Sequence, residues 1–330
     1  MASAAPKTHP LSAERPPLPF EVVERRFPTP GGHVGGWSHG PPSRDVVVAI
    51  HGWLEHADCW LPLLAHLPKD RQYVAIDLPG HGYSTHRGNG MGYAVSDYVR
   101  DIAMVMQQLR DQAAPETRFH LLGHSMGAMI SFLYAGAFPE QITSLVLVDG
   151  VVPITADDAA AASRLASSIE NWLVLHTKAA AQTPMSLEVA FQRLAKGNPD
   201  VESHALPYLF PRSVRQVKPG QFVFNRDLLV KQVTPYRFTP KQALSFARRI
   251  QCPTLAILAN DGLRTAPPDE TQRQLAALQE AMPTLRLAYV EGNHHVHMND
   301  ASTVAKDIAD FWSLPASLPA QEARPIAAKL

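Results

Sequence analysis

Gly123-His124-Ser125-Met126-Gly127 places a serine between two glycines. The apolar run Phe119–Leu122 precedes it, and Ala128–Phe138, apolar around nearly every face, follows and stops at Pro139. A serine at such a strand-to-helix turn lifts its hydroxyl above the sheet, and the N–H of the next residue faces a developing oxyanion. The five-residue pattern alone also occurs in ordinary glycine-rich junctions; the strand–turn–helix context marks this one as a nucleophile turn. A hydroxyl is a weak nucleophile at its ordinary pKa. It therefore needs a base within hydrogen-bond reach and a third group to orient that base.

The base belongs where strands end at the carboxyl edge of the sheet. After the last predicted strand comes Glu291-Gly292-Asn293-His294-His295-Val296-His297, and the order Ser…Asp…His is the expected one. Three close histidines also raise a His₃ metal site. No H-E-x-x-H helix and no cysteine pair accompany them, so no metal is expected. Two carboxylates are candidates for the third group: Asp149, at the end of the predicted sixth strand, and Asp261, in Ala259-Asn260-Asp261-Gly262 after the seventh. These two strands should be neighbours, so either acid can reach the histidine. The N–H of Trp53, in His51-Gly52-Trp53 after the third strand, would face that of Met126 and complete an oxyanion hole.

Strands alternating with helices must position these groups, which implies a parallel sheet covered on both faces. A hairpin is predicted over Glu21–Phe27 and His33–His39. Buried strands are predicted over Asp45–Ile50, Tyr73–Ile76 and Ser144–Val148. The spacing of Val95, Tyr98, Val99, Ile102, Val105, Met106 and Leu109 predicts a helix over Ala94–Arg110. The alternation stops after Gly150. From Val151 to Ile250 no strand is predicted, only helical pieces (Ala156–Leu175, Ser186–Lys196) and a Pro- and aromatic-rich part. This reads as a largely helical lid. Its Trp172, Phe191, Tyr208, Phe210, Phe222, Phe224, Tyr236 and Phe238 are candidates to line an apolar pocket. Strand, helix, strand, helix then resume over Thr254–Leu258, Asp269–Ala281, Leu285–Val290 and Ser302–Trp312.

Thirty Lys+Arg balance thirty Asp+Glu in 330 residues. No basic face for nucleic acid or an anionic membrane is expected. Cys59 and Cys252 are too few for a disulfide framework and lack metal-site spacing. They read as packed free thiols in a reducing compartment, which points to the cytoplasm. The Pro-rich ends, 1–19 and 314–330, hold no apolar run of export or membrane type and are expected to be flexible. The terminal Ala328-Lys329-Leu330 is similar to a peroxisomal address, which would matter only in a eukaryote.

From about residue 20 to 313 the chain resembles the α/β-hydrolase superfamily. The resemblance rests on His51-Gly52-Trp53-Leu54, Asp77-Leu78-Pro79-Gly80-His81-Gly82-Tyr83-Ser84, the serine motif and Gly292-Asn293-His294. Within the superfamily it is most similar to the serine hydrolase-like proteins, through the G-N-H-x-V-H-M run and Phe222–Asp227. The resemblance implies a mostly parallel eight-stranded sheet with helices on both faces and a lid inserted after strand 6. The core would be 20–150 with 251–313, and the lid 151–250. It also implies Ser125 as nucleophile, His294 rather than His295 as base, Asp149 as the acid, and Trp53 and Met126 as oxyanion donors. The implied activity is cofactor-free hydrolysis of a small acyl substrate. A non-catalytic binding protein on the same fold, or a cofactor-free haloperoxidase or perhydrolase, is the alternative.

Overall fold

The computed structural model describes residues 14–88, 92–179 and 182–314. The chain opens with an antiparallel hairpin, β1 (Val23–Thr29) and β2 (Gly32–His39). Then come β3 (Asp45–Ile50), the one-turn helix α1 (Leu61–Leu64), β4 (Gln72–Ile76), α2 (Val95–Gln112), β5 (Arg118–His124), α3 (Met126–Ala137) and β6 (Ser144–Val148). The lid contributes α4 (Ala161–Ala179), α5 (Leu187–Gly197), the short α6 (Leu206–Leu209), β7 (Val214–Lys218), β8 (Gln221–Phe224) and α7 (Pro240–Ala247). The core resumes with β9 (Thr254–Asp261), α8 (Pro268–Ala281), β10 (Leu285–Asn293), the short α9 (Val296–Asn299) and α10 (Ala301–Ser313).

Eight strands form one sheet in the order β1-β2-β4-β3-β5-β6-β9-β10. The pairs β1/β2 and β2/β4 are antiparallel and the others parallel. This is the α/β-hydrolase fold. Successive side chains of β3 point to opposite faces. Val47 and Ala49 join the layer containing Val304 and Ile308 of α10. Val46, Val48 and Ile50 join the layer of α2 and α3, with Ile102, Val105, Ile130 and Phe132. Both faces are covered, which is why β3 and β6 read as unbroken apolar runs.

The lid departs from expectation. Besides its helices it holds the antiparallel hairpin β7/β8, and Met185 bridges to Phe222 at its edge. The Val214–Lys218 run followed by Pro219-Gly220 was the available turn signal. Arg212, just before β7 and fully buried, ties lid to core. Its guanidinium donates to Asp58 Oδ1 and Asp77 Oδ2, both at 2.7 Å, and to Glu24 at 2.6 and 2.7 Å.

Part of the stretch 1–19 contacts the core. Arg15 Nε donates to Asp58 Oδ2 at 2.8 Å and its terminal nitrogen to Glu24 at 2.7 Å, so this segment is held against the core. Residues 1–13 and the tail 315–330, with Ala328-Lys329-Leu330, lie outside the described residues. No described helix is long and apolar enough to cross a membrane.

Candidate active site

β5 runs into α3 through Ser125, which takes φ 52° and ψ −117°. Among the described residues three non-glycines have positive φ, namely Leu54 (64°), Ser125 and Asp149 (44°), and all three border this site. Such conformations persist only where the surroundings over-determine them. Here close packing does so: a Cβ on Gly123 would lie 2.5 Å from the Gly127 carbonyl oxygen, and one on Gly127 would lie 2.1 Å from that of Ile50.

The loop after β10 brings His294 Nε2 to 2.9 Å from Ser125 Oγ, and His294 Nδ1 to 2.5 Å from Asp149 Oδ2. Asp149 directly follows β6 and is buried. Its Oδ1 accepts the Ala259 N–H at 2.9 Å and its Oδ2 the Leu263 N–H at 2.7 Å. The strands β6 and β9 are neighbours, yet Asp261 does not approach His294. Its side chain is 85% exposed and its nearest cation, Arg264, stands 3.9 Å away. Gly262 permits this arrangement, since a Cβ there would lie 2.1 Å from Asp149 Oδ1.

Trp53 and Met126 each lie three residues beyond a paired position, Ile50 and Gly123, on the adjacent strands β3 and β5. Met126 opens α3, while the Trp53 indole N–H donates to the lid carbonyl of Val230 at 2.8 Å. Two buried histidines shape the Trp53 loop. His51 Nε2 accepts the Leu78 N–H at 2.9 Å and its Nδ1 donates to the Gly52 carbonyl at 2.7 Å. His81 Nε2 accepts the Leu54 N–H at 3.3 Å. Burial pulls His51 down to about 4 and His81 to about 3, so both are neutral imidazoles at neutral pH.

Behind the triad-like line lies a second polar group that the sequence reading missed. His124 Nδ1 is 2.9 Å from Glu55 Oε2, and His124 Nε2 donates to the His294 carbonyl at 2.8 Å. His295 turns away from Ser125 and places Nδ1 3.1 Å from Glu55 Oε1. Burial alone would raise the Glu55 carboxyl, but the His124 ring beside it holds it well below the usual range. Burial likewise opposes charge on His295, and there Glu55 wins and raises it. Glu55 follows H-G-W-L directly, but no local pattern reveals that it is buried.

The lid aromatics divide unevenly. Phe210 is buried, Phe191 meets it edge-on, and Tyr208, Phe222 and Phe224 pack on the same core layer. Phe238 packs on Phe246, and Tyr236 faces solvent. Only Trp172 of the eight lines the cavity of about 300 Å³ between α4, the start of α2 and residues 232–235, and Ser125 is not part of its wall.

The family model for the alpha/beta hydrolase fold matches residues 45–301, so the chain belongs to the α/β-hydrolase family. Among its relatives is a serine hydrolase-like protein of Danio rerio, 31% identical over 87% of this chain and 87% of that protein. Serine hydrolase-like protein 2 of Homo sapiens is 29% identical over 92% of this chain and 98% of its own. A hypothetical protein of Pseudomonas aeruginosa PAO1 superposes with TM-score 0.78 at 34% identity, over 89% of this chain and all of that one. Family and relatives together support a hydrolase.

Proposed function

We propose that this chain is a serine hydrolase that cleaves a carboxylic ester, or a related acyl bond, of a small apolar substrate through an acyl-enzyme. The carrying observation is the unbroken hydrogen-bonded line from Ser125 Oγ through both nitrogens of His294 to Asp149. His294 takes the Ser125 proton as Oγ attacks the carbonyl carbon. The backbone N–H groups of Trp53 and Met126 hold the oxyanion. His294 then protonates the leaving oxygen, activates a water against the acyl-enzyme, and returns the proton to Ser125. Asp149 fixes the ring tautomer and stabilises the transient imidazolium, while its two backbone donors keep it in place. These steps need no metal or organic cofactor. The thioesterase domain of the curacin biosynthetic pathway, alike with TM-score 0.71 at 25% identity, supports an acyl carbonyl as the reacting group.

A fluorophosphonate probe combined with p-nitrophenyl esters of increasing chain length tests this reading. Covalent labelling and turnover peaking at one chain length are expected. Absence of both labelling and turnover across the series would overturn it.

A further inference from the structure

The Glu55–His124–His297 group lies behind the Ser125–His294 pair and takes no part in the proposed hydrolysis. We propose that these three residues form a buried site for one divalent transition-metal cation of the zinc class. The first reason is convergence: one ligand atom from each side chain lies within 4.8 Å of the others. Zinc bond lengths of about 2.0–2.2 Å to nitrogen and oxygen put tetrahedral ligand atoms roughly 3.4 Å apart. Small side-chain shifts would therefore close the site.

The second reason is the state of His124. Its Nε2–H is committed to the His294 carbonyl at 2.8 Å, while its Nδ1 faces the Glu55 carboxylate at 2.9 Å. A nitrogen lone pair cannot face a carboxylate at that distance unless something positive lies between them, either a proton or a metal ion. A ring N–H given to a backbone carbonyl is the usual outer partner of a metal-binding histidine.

His297 decides between the two. It is fully buried, and neither ring nitrogen has a hydrogen-bond partner. Leaving such polar atoms unsatisfied is costly, and native proteins rarely do so without a reason. Its ring packs on that of His124, with centroids 3.9 Å apart and planes tilted by 33°, and one of its nitrogens lies within 4.8 Å of a ligand atom of both His124 and Glu55. A proton between Glu55 and His124 leaves His297 unused; a cation employs it. Glu55 is braced for the role, because His295 holds Oε1 at 3.1 Å and the Gly52 N–H reaches Oε2 at 2.7 Å. The three-histidine run thus splits: His294 serves Ser125, His295 braces Glu55, and His297 binds the ion.

Titration of the purified chain with Co²⁺, read by its visible d–d absorption, and with Zn²⁺ by calorimetry, tests the site. One equivalent of either ion is expected, with release of about one proton, seen by repeating the calorimetry in buffers of different ionisation heat. His297→Phe removes the lone pairs without orphaning any partner, and Glu55→Gln removes the charge. Each should weaken binding by at least about 100-fold, beyond the 10–100-fold loss typical of an outer partner. Prior phosphonylation of Ser125 should leave the Co²⁺ spectrum unchanged. No stoichiometric uptake, or uptake without proton release, would mean that a proton occupies the position and would overturn the proposal. Equal uptake by both variants, or uptake abolished by phosphonylation, would place the ion elsewhere and overturn it too.

Discussion

The positive φ of Ser125 stores about 1–3 kcal/mol that the glycine packing around it must offset. Alanine at 125 keeps that backbone and loses only the hydroxyl. Ser125→Ala should therefore abolish fluorophosphonate labelling and lower kcat by about 10⁴–10⁶, with the melting temperature nearly unchanged. Equal labelling of the variant at another residue would remove Ser125 from its role. The acid offers a sharper contrast. Asp149→Asn should lower kcat by about 10⁴, because an amide presents the wrong partner to His294 Nδ1. It should also destabilise the fold by about 1–3 kcal/mol, because both carboxylate oxygens of Asp149 accept backbone N–H groups and an amide can satisfy only one of them. Asp261→Asn should leave both quantities near normal, its side chain being 85% exposed. Steady-state kinetics and urea denaturation of the pair would decide, and collapse of turnover in Asp261→Asn alone would transfer the role.

Arg212 is one of the buried ties between lid and core. Removing it leaves Asp58 and Asp77 buried without its compensating charge, and breaking a buried pair in this way costs about 3–5 kcal/mol. Arg212→Met should lower stability by that amount in urea unfolding, and Arg212→Lys by less. An unchanged midpoint for Arg212→Met would mean that Arg15 alone neutralises the cluster. This anchor was invisible in the sequence, since its partners lie 135 to 188 residues away. The sheet was legible for the opposite reason. Parallel strands covered on both faces must be continuous apolar runs, and Asp45–Ile50 and Ser144–Val148 coincide with β3 and β6. In β7 only Val214 is buried, so its pattern was too faint to read. The lid aromatics carry no mark that separates core from cavity. Spacing alone also left Asp149 and Asp261 level, because both lie at the ends of neighbouring strands; the backbone turn at Gly262 separates them.

Acid should weaken the whole molecule as the histidines of the unfolded chain take up protons. His51 and His81 bind a proton at about 4 and about 3 when folded, through burial, and near 6.5 when unfolded. Their stabilisation is complete above about pH 6.5 and is lost as pH falls toward those values, by up to about 1.4 kcal/mol per pH unit for each. Asp101, raised to about 6 by burial against the pull of Arg87, acts in the opposite sense and offsets part of this. Unfolding free energy should decline between pH 7 and 5, and a flat profile there would contradict the neutral-histidine reading of the Trp53 loop. The lid has a further consequence, in the time order of synthesis. β6, whose side chains are all buried in the finished fold, leaves the ribosome with one edge unpaired, and its partner on that side, β9, begins only at Thr254. At about 5–20 residues per second the intervening segment of about 100 residues takes roughly 5–20 seconds. During that interval the nascent chain carries an unpaired strand edge, and Ser125 lacks His294. The newborn chain then exposes an edge that can pair with other chains and lacks the base on which the proposed mechanism depends.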